Sequence, residues 1–156
     1  MLSEGDDMPP RIKNRKAYRD YEIEDKFEAG ISLLGPEVKS IRAGRASLKE
    51  AYARVIDNEV WIIGMHITPY DHSGYTEVNP TRRRKLLLHK YEIRKMFRKT
   101  EQSGYTLVPL ELYFDDKNRV KILLGLGKGR TTHDKKQKLI EKEKEREMER
   151  ALKNRR

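Results

Sequence analysis

The chain has no cysteine among its 156 residues, which excludes a disulfide framework, a thiolate zinc site and a catalytic thiol together. It has no run of about 18 apolar residues, and Met1 to Pro10 are acidic and polar. Neither a membrane span nor a secretory signal is expected, so the sequence points to a cytosolic protein. No segment repeats at a period of about 20 to 50 residues, which excludes a solenoid. The histidines His66, His72, His89 and His133 lack ligand spacing and no HExxH motif is present, so neither metal nor cofactor is expected. No Ser or Thr stands beside an evident base, and nucleophilic catalysis has no support.

What is present is one modest core and a concentrated charge. At 36% hydrophobic the chain can bury one core of ordinary quality. It carries 35 Lys+Arg against 25 Asp+Glu, a formal net charge of +10. From Thr81 to Lys99 there are nine cations and one acid, Glu92, for a net +8. Residues 131–156 add +4, and the rest of the chain is slightly acidic. A field clustered in this way attracts polyanions and releases their counterions, which makes a nucleic acid the leading partner. An anionic membrane would want Trp, Phe and Leu opposite the basic face.

Residues 1–15 read as a mobile N-terminal arm with Pro9 and Pro10. Tyr21, Ile23, Phe27, Ala29, Ile31 and Leu33 then alternate as a half-buried strand does, with Gly35 marking where the strand leaves the sheet. Pro36, Val38, Ile41 and Gly44 predict a two-turn helix with a left-handed stop. Tyr52 to Ile56 and Val60 to Ile63 flank Asp57-Asn58-Glu59 as a hairpin. Arg82 to Leu88 fits strand or helix, with strand preferred. Ile93, Met96 and Phe97 form one stripe of a helix over His89–Gln102, closed by Gly104. Leu107–Phe114 and Arg119–Leu126 make a second hairpin, and Pro109 calls for an edge or a bulge. These elements predict a mainly β fold, an OB-like small closed barrel with two peripheral helices over residues 16–130. Residues 131–156 form a basic tail with repeated acid-to-base pairs at helical spacing and few apolar positions. It is expected to be disordered alone and helical when a highly charged partner confines it.

Several clusters invite a chemical reading. Gly125-Leu126-Gly127-Lys128-Gly129-Arg130 fails the spacing of both phosphate-binding glycine motifs. It reads either as backbone that comes close to a partner or as a hinge. Asp115-Asp116 is better explained as a turn former than as a catalytic pair. Glu37, in the first turn of its helix, complements the helix dipole. His89 is placed to satisfy first-turn N–H groups, and His133 lies among cations where a ring can stack on a base.

Asn14-Arg15-Lys16-Ala17, Glu28-Ala29-Gly30-Ile31, Gly35 to Gly44, Tyr52-Ala53-Arg54, Arg84 to Lys90 and Leu107-Val108-Pro109-Leu110 together resemble the SmpB family, the SsrA-binding proteins of bacteria. The resemblance implies an OB-type barrel that binds the tRNA-like domain of transfer-messenger RNA (tmRNA) and delivers it to ribosomes stalled on messages lacking a stop codon. It implies that barrel and RNA together mimic a tRNA, and that the tail becomes a helix in the decoding centre and the empty mRNA channel. Elongation factor Tu on the same tmRNA complex is a further implied partner, with the chain itself a monomer and not an enzyme.

Carried onto this sequence, the tmRNA surface comprises Asn14, Arg15, Lys16, Glu37, Lys39, Arg42, Arg45, Arg82, Arg83, Arg84, Lys85, Leu88, His89 and Lys90. Within it Glu37, Asn14 and His89 are expected to add selectivity, Glu37 by accepting from a base amino group. The ribosome-directed set is Lys128, Gly129, Arg130, His133, Asp134, Lys135, Lys136, Lys138, Lys142 and Arg146. Thr131 stands where the family usually has a cation. Two alternatives differ in class: a ribosomal or initiation-type rRNA-binding protein, and a small nuclease using Asp115, Asp116 and His133.

Overall fold

Alternation from Tyr21 onward does build a long strand in the computed structural model, which describes residues 8–69, 78–129, 143–144 and 146–153. The chain runs β1 (Ile12–Lys13), α1 (Arg15–Asp20), β2 (Tyr21–Ile31), α2 (Gly35–Arg42), β3 (Ala46–Ser47), β4 (Tyr52–Ile56) and β5 (Glu59–Ile63). It continues through β6 (His66–Ile67), β7 (Arg84–Leu87), α3 (Lys90–Thr100), β8 (Tyr105–Phe114) and β9 (Val120–Gly129). Seven strands follow the order β1-β8-β4-β5-β7-β2-β9, and β8 also pairs with β9, so the antiparallel sheet closes on itself. The expected OB-like barrel is therefore present. A separate two-stranded sheet pairs β3 with β6.

Turn chemistry explains the connections. Asp57 and Asn58 take φ of 50° and 62°, the left-handed pair that a two-residue hairpin needs between β4 and β5. Asp115 organises the β8–β9 turn by accepting from the N–H groups of Lys117 (3.0 Å) and Arg119 (2.8 Å). Those contacts make Asp115 a turn former, as the sequence suggested.

A bulge between Ile23 and Asp25 gives β2 two jobs. One extra residue reverses which side of the sheet each side chain meets. Tyr21 and Ile23 consequently pack outside the barrel with Ala17, Val108, Leu110 and Leu123, while Phe27, Ala29 and Ile31 enter the main core with Leu124 and Ile122. The bulge anticipated at Pro109 is found between Pro109 and Glu111. Leu107 to Leu110 are all buried as a result, because β8 has the core on one face and α1 on the other. Ile41 of α2 and Met96 of α3 are both fully buried in the main core.

The structure departs from the sequence reading in several places. Three helices flank the described barrel, since α1 occupies residues expected to lead straight into the first strand. Ile12 and Lys13, expected in the mobile arm, pair with Leu112 and Glu111. β2 ends at Ile31 and Gly35 already belongs to α2. Helix α3 stops at Thr100, ahead of Gly104, whose φ of 87° serves the turn into β8. Gly125, Gly127 and Gly129 are not a hinge but residues of β9, with Gly129 at its end. A Cβ on Gly127 would lie 2.9 Å from the Glu22 carbonyl oxygen, and one on Gly125 2.9 Å from a Leu110 methyl.

Candidate nucleic-acid interface

Helix α2 begins where Pro36 presets the first turn and Glu37 reaches back to accept from the Leu34 N–H at 2.9 Å. Its carboxylate is only 3% exposed, and two arginines from the 81–99 run converge on it. Arg84 donates through Nε at 2.7 Å and Arg82 through Nε at 3.2 Å, with a further close contact from the Arg82 Nη2. Arg84 has no exposed surface, and its remaining nitrogens donate to the carbonyls of Met65 (2.7 Å) and Pro80 (3.1 Å). Burial pushes the Glu37 carboxyl up, but the hydrogen bonds from Arg82, the Leu34 N–H and Arg84 outweigh it and hold the group below its ordinary value. Burial likewise lowers Arg84, opposed by Glu37.

This closed network corrects two expectations. Glu37 has no oxygen left for a base amino group, and Arg84 cannot reach a phosphate. Their function is to clamp α2 to β7 and to the turn at Pro80. The clamp holds Lys39, Arg42 and Arg45 on the surface, where Arg42 lies 4.4 Å over the Phe114 ring and donates to the Asn118 side chain at 3.1 Å.

Asn14 also supports the fold from beneath the surface. It is 7% exposed, its Oδ1 caps α1 by accepting from the Ala17 N–H at 3.3 Å, and its Nδ2 donates to Pro109 (2.9 Å) and Leu48 (3.3 Å) carbonyls. Because Leu48 follows Arg45 by three residues, this joins the start of α1 to the segment leaving α2. Arg15 is exposed on α1 and Lys16 half-buried.

On β7 the alternation sends Arg84 and Leu86 inward and Lys85 and Leu87 outward. Leu88 is half-buried against the core, and the leucine the strand presents is Leu87, 54% exposed. Lys85 pairs with Glu59 at 3.1 Å, and the Arg83 guanidinium lies 4.9 Å above Trp61. Registers Arg54↔Trp61 and Trp61↔Lys85 align a cation, an indole and a cation across three strands. The sequence reading missed Trp61 and Arg54. The available signal was that Val60 and Ile62 point inward, which forces Trp61 out.

His89 caps α3 differently from expectation. Its side chain makes no capping bond; the Glu92 carboxylate accepts from the His89 N–H at 3.1 Å, and the His89 ring stacks on Tyr91 at 5.5 Å. Lys90 is exposed on α3, where it lines a groove with Asn58, Ile93, Arg94, Phe97 and Arg98. On the barrel's outer side the Tyr113 hydroxyl donates to Glu28, and burial together with that carboxylate pushes the phenol well up.

Of the tail set, Lys128 is exposed and Gly129 buried at the end of β9. Arg146 is exposed in a helical stretch at 146–153 and lies 3.5 Å from Glu143. Arg130, His133, Asp134, Lys135, Lys136, Lys138 and Lys142 lie outside the described residues, as do Thr131 and His72. Among the described residues no three His, Asp or Glu side chains gather as a metal ion would need. What the described surface can do chemically is bind anions through Arg15, Lys16, Arg42, Arg45, Arg83 and Lys85, with Trp61 as a flat apolar element beside Arg83 and Lys85.

Comparison with known proteins accords with that chemistry. The model of the SmpB family, described as "SmpB protein", matches residues 11–154. The chain is 51% identical to the SsrA-binding protein of Syntrophobacter fumaroxidans over 144 residues, 92% of this chain and 89% of that one. It is 46% identical to the SsrA-binding protein of Symbiobacterium thermophilum over 149 residues, 96% of this chain and 94% of that one. A solved chain described under "tmRNA-SmpB: a journey to the center of the bacterial ribosome" is 47% identical, with a TM-score of 0.66 over 79% of this chain and 86% of that one.

Proposed function

This chain belongs to the SmpB family, and on that premise we propose that it binds the tRNA-like domain of tmRNA (SsrA RNA) and delivers it to ribosomes stalled without a complete codon. The observation that carries the reading is the extent of the family match, which runs from residue 11 to residue 154 and so takes in both barrel and tail. The exposed cations around α1 and α2 and the outward row on β4, β5 and β7 support it on physical grounds. Phosphate contacts fix register and orientation on an RNA fold, which Arg15, Lys16, Lys39, Arg42, Arg45, Arg83 and Lys85 are suited to supply. Asn14, Glu37 and Arg84 act beneath them by holding α1, α2 and β7 in place.

The tail from Lys128 to Arg156 is the ribosome-directed part. It enters the decoding centre and the vacant mRNA channel, where a cationic helix replaces counterions along the RNA walls. Elongation factor Tu joins the same tmRNA complex, the chain acts as a monomer, and the site of action is the cytoplasm. The activity is binding and not turnover: Asp115 is committed to its turn and to Arg119, at 3.0 Å.

Pull-down of the full chain from a bacterial lysate, with sequencing of the recovered RNA, tests the proposal. Dominant recovery of tmRNA is expected. Recovery of ribosomal RNA alone favours the ribosomal-protein alternative and refutes this one. A chain truncated after Arg130 is expected to retain tmRNA and to lose peptide tagging in a reconstituted translation system.

A further inference from the structure

Several cations of the fold already have an acid. In the 81–99 run Arg82 and Arg84 meet Glu37, Lys85 meets Glu59, and Lys95 meets Asp25 at 2.9 Å. Lys90, Arg94 and Arg98 of α3 have neither an acid nor a ring against them among the described residues. The end of α2 lacks acids as well. Arg42 is held by two neutral groups, the Phe114 ring and the Asn118 side chain, and the exposed Arg45 guanidinium has no partner among the described residues. Arg45 is nevertheless fixed in place: its N–H donates to the Ser40 carbonyl at 2.8 Å, and its own carbonyl accepts from the Thr68 N–H at 3.0 Å.

What distinguishes the α2 pair is its neighbour. Residues 1–7 carry Glu4, Asp6 and Asp7 and no Lys or Arg. They join the described chain at Met8, where the following residues are held firmly. Ile12 and Lys13 pair with β8, Arg11 meets Glu111 and lies 4.9 Å over Tyr113, and Pro9-Pro10 stiffens the backbone before them. Pro10 sits against Gly44, the residue before Arg45: a Cβ on Gly44 would stand 3.9 Å from the Pro10 Cβ. Asp7 is three residues from Pro10, about 10 Å at full extension, and Glu4 is six, about 20 Å. All three acids therefore reach Arg42 and Arg45.

We propose that residues 1–7 are an acidic cover for the Arg42–Arg45 surface, competing in cis with phosphates for those two cations. The inference rests on the RNA-binding reading for what the cover excludes, and adds to it a regulation of that surface by the chain itself. Attachment at Pro10 keeps the acids near the arginines at an effective concentration on the order of mM. The negative end of the α2 dipole opposes them with about half a charge, which two full arginine charges outweigh. The cover lowers affinity through this surface by one factor for every polyanion. Weakly held RNA then loses occupancy, while a tightly held RNA remains saturated.

The test uses the full chain, which has no cysteine, so Ser3→Cys gives a single attachment point for a nitroxide. Broadening of the Gly44 and Arg45 amide signals is compared with that in a neutral form, Glu4→Gln with Asp6→Asn and Asp7→Asn, each protein checked by thermal melting. At about 50 mM salt the acidic form is expected to broaden them about twofold more strongly, with the difference gone by about 0.5 M. The Tyr105 amide, about 23 Å along β8 from Leu112, the partner of Ile12, is the reference and is expected to respond alike in both forms. Equal broadening at Gly44 and Arg45 overturns the proposal, and this measurement needs no RNA. Affinity for a transcript of the tRNA-like domain is then measured over the same salt range. The neutral form is expected to bind about fivefold more tightly at about 50 mM and equally at about 0.5 M. Once Arg42→Gln and Arg45→Gln are introduced, neutralising the acids is expected to make no difference. Absence of a gain overturns the proposal, and so does a gain that survives high salt or the loss of both arginines. Failure of the unaltered chain to bind the transcript refutes the tmRNA reading instead and leaves the broadening comparison to decide the contact.

Discussion

Replacing Glu37 with Ala removes the counter-charge of an arginine that has no exposed surface. Breaking one side of a buried pair while leaving the other charged costs about 3–5 kcal/mol. A domain of this size has roughly 5–15 kcal/mol in total, so the loss is a large fraction of its stability. It corresponds to a fall in melting temperature of about 10 °C and a drop in the urea midpoint of about 2 M. Far-ultraviolet circular dichroism in urea measures it, with an unchanged m-value as the control. Pairing Glu37→Leu with Arg84→Met removes both charges and is expected to recover much of the loss. Recovery stays incomplete because the carbonyls of Met65 and Pro80 lose their donor.

The same carboxyl makes stability depend on pH in a known direction. Its folded value lies below the ordinary 4.5, so its contribution is fully present above that value and is lost as pH falls through the folded value. The gap between parent and Glu37→Ala therefore narrows on acidification below about pH 4. RNA affinity of the variant, corrected for the unfolded fraction, is expected to change little at temperatures where α2 remains docked. A variant that melts like the parent yet loses RNA binding would refute this reasoning and return Glu37 to the RNA interface.

Three further outcomes follow from the same structure. Asn14→Ala removes the cap of α1 and the donor to two buried carbonyls, and is expected to cost about 1–3 kcal/mol in thermal or urea unfolding. Gly127→Ala places a Cβ 2.9 Å from a backbone oxygen that cannot yield, and is expected to destabilise by about 1–3 kcal/mol, where a flexible hinge would tolerate it. Arg42→Gln with Arg45→Gln is expected to lower the salt slope of tRNA-like-domain binding by about 1.8 while leaving the melting temperature nearly unchanged.

The barrel was legible in the sequence where one physical signal dominated. Pro109 cannot donate to a ladder and calls for an edge or a bulge, and a bulge is present there; Asp57-Asn58 is a hairpin turn by its own left-handed preference. Helix α1 was illegible because it has six residues and buries only Ala17, so no periodicity accumulates. The parity of β2 was misleading in a specific way, since Tyr21 and Ile23 share a sequence phase with Phe27 and Ala29 but face a different cluster beyond the bulge.

The candidate site was legible as charge and only partly as geometry. Counting cations located the 81–99 run, but counting cannot separate Arg84 from Arg83. Strand alternation could have done so, because Arg84 shares its phase with the core residue Leu86. Glu37 carried a similar signal: it precedes Ile41 by one helical turn and lies on the same buried face. Arg84 was read as a contact from the charge of its run and Glu37 from the family resemblance, although Glu37 was also read as complementing the helix dipole, which its bond from the Leu34 N–H fits. They are buried here because each satisfies the other. Nothing in composition marks Lys90, Arg94 and Arg98 as the unpaired members of the run, since that depends on where Asp25, Glu37 and Glu59 are brought by the fold.

The central claim is that surface cations on a folded barrel select the tRNA-like part of tmRNA. Its most direct measurement is filter binding of the purified full-length chain to a labelled tRNA-like-domain transcript, challenged separately with unlabelled transcript and with ordinary elongator tRNA in the same large excess. The account predicts that the unlabelled transcript displaces the label while elongator tRNA leaves most of the complex intact. Equal displacement by both, or no complex at moderate ionic strength, contradicts it.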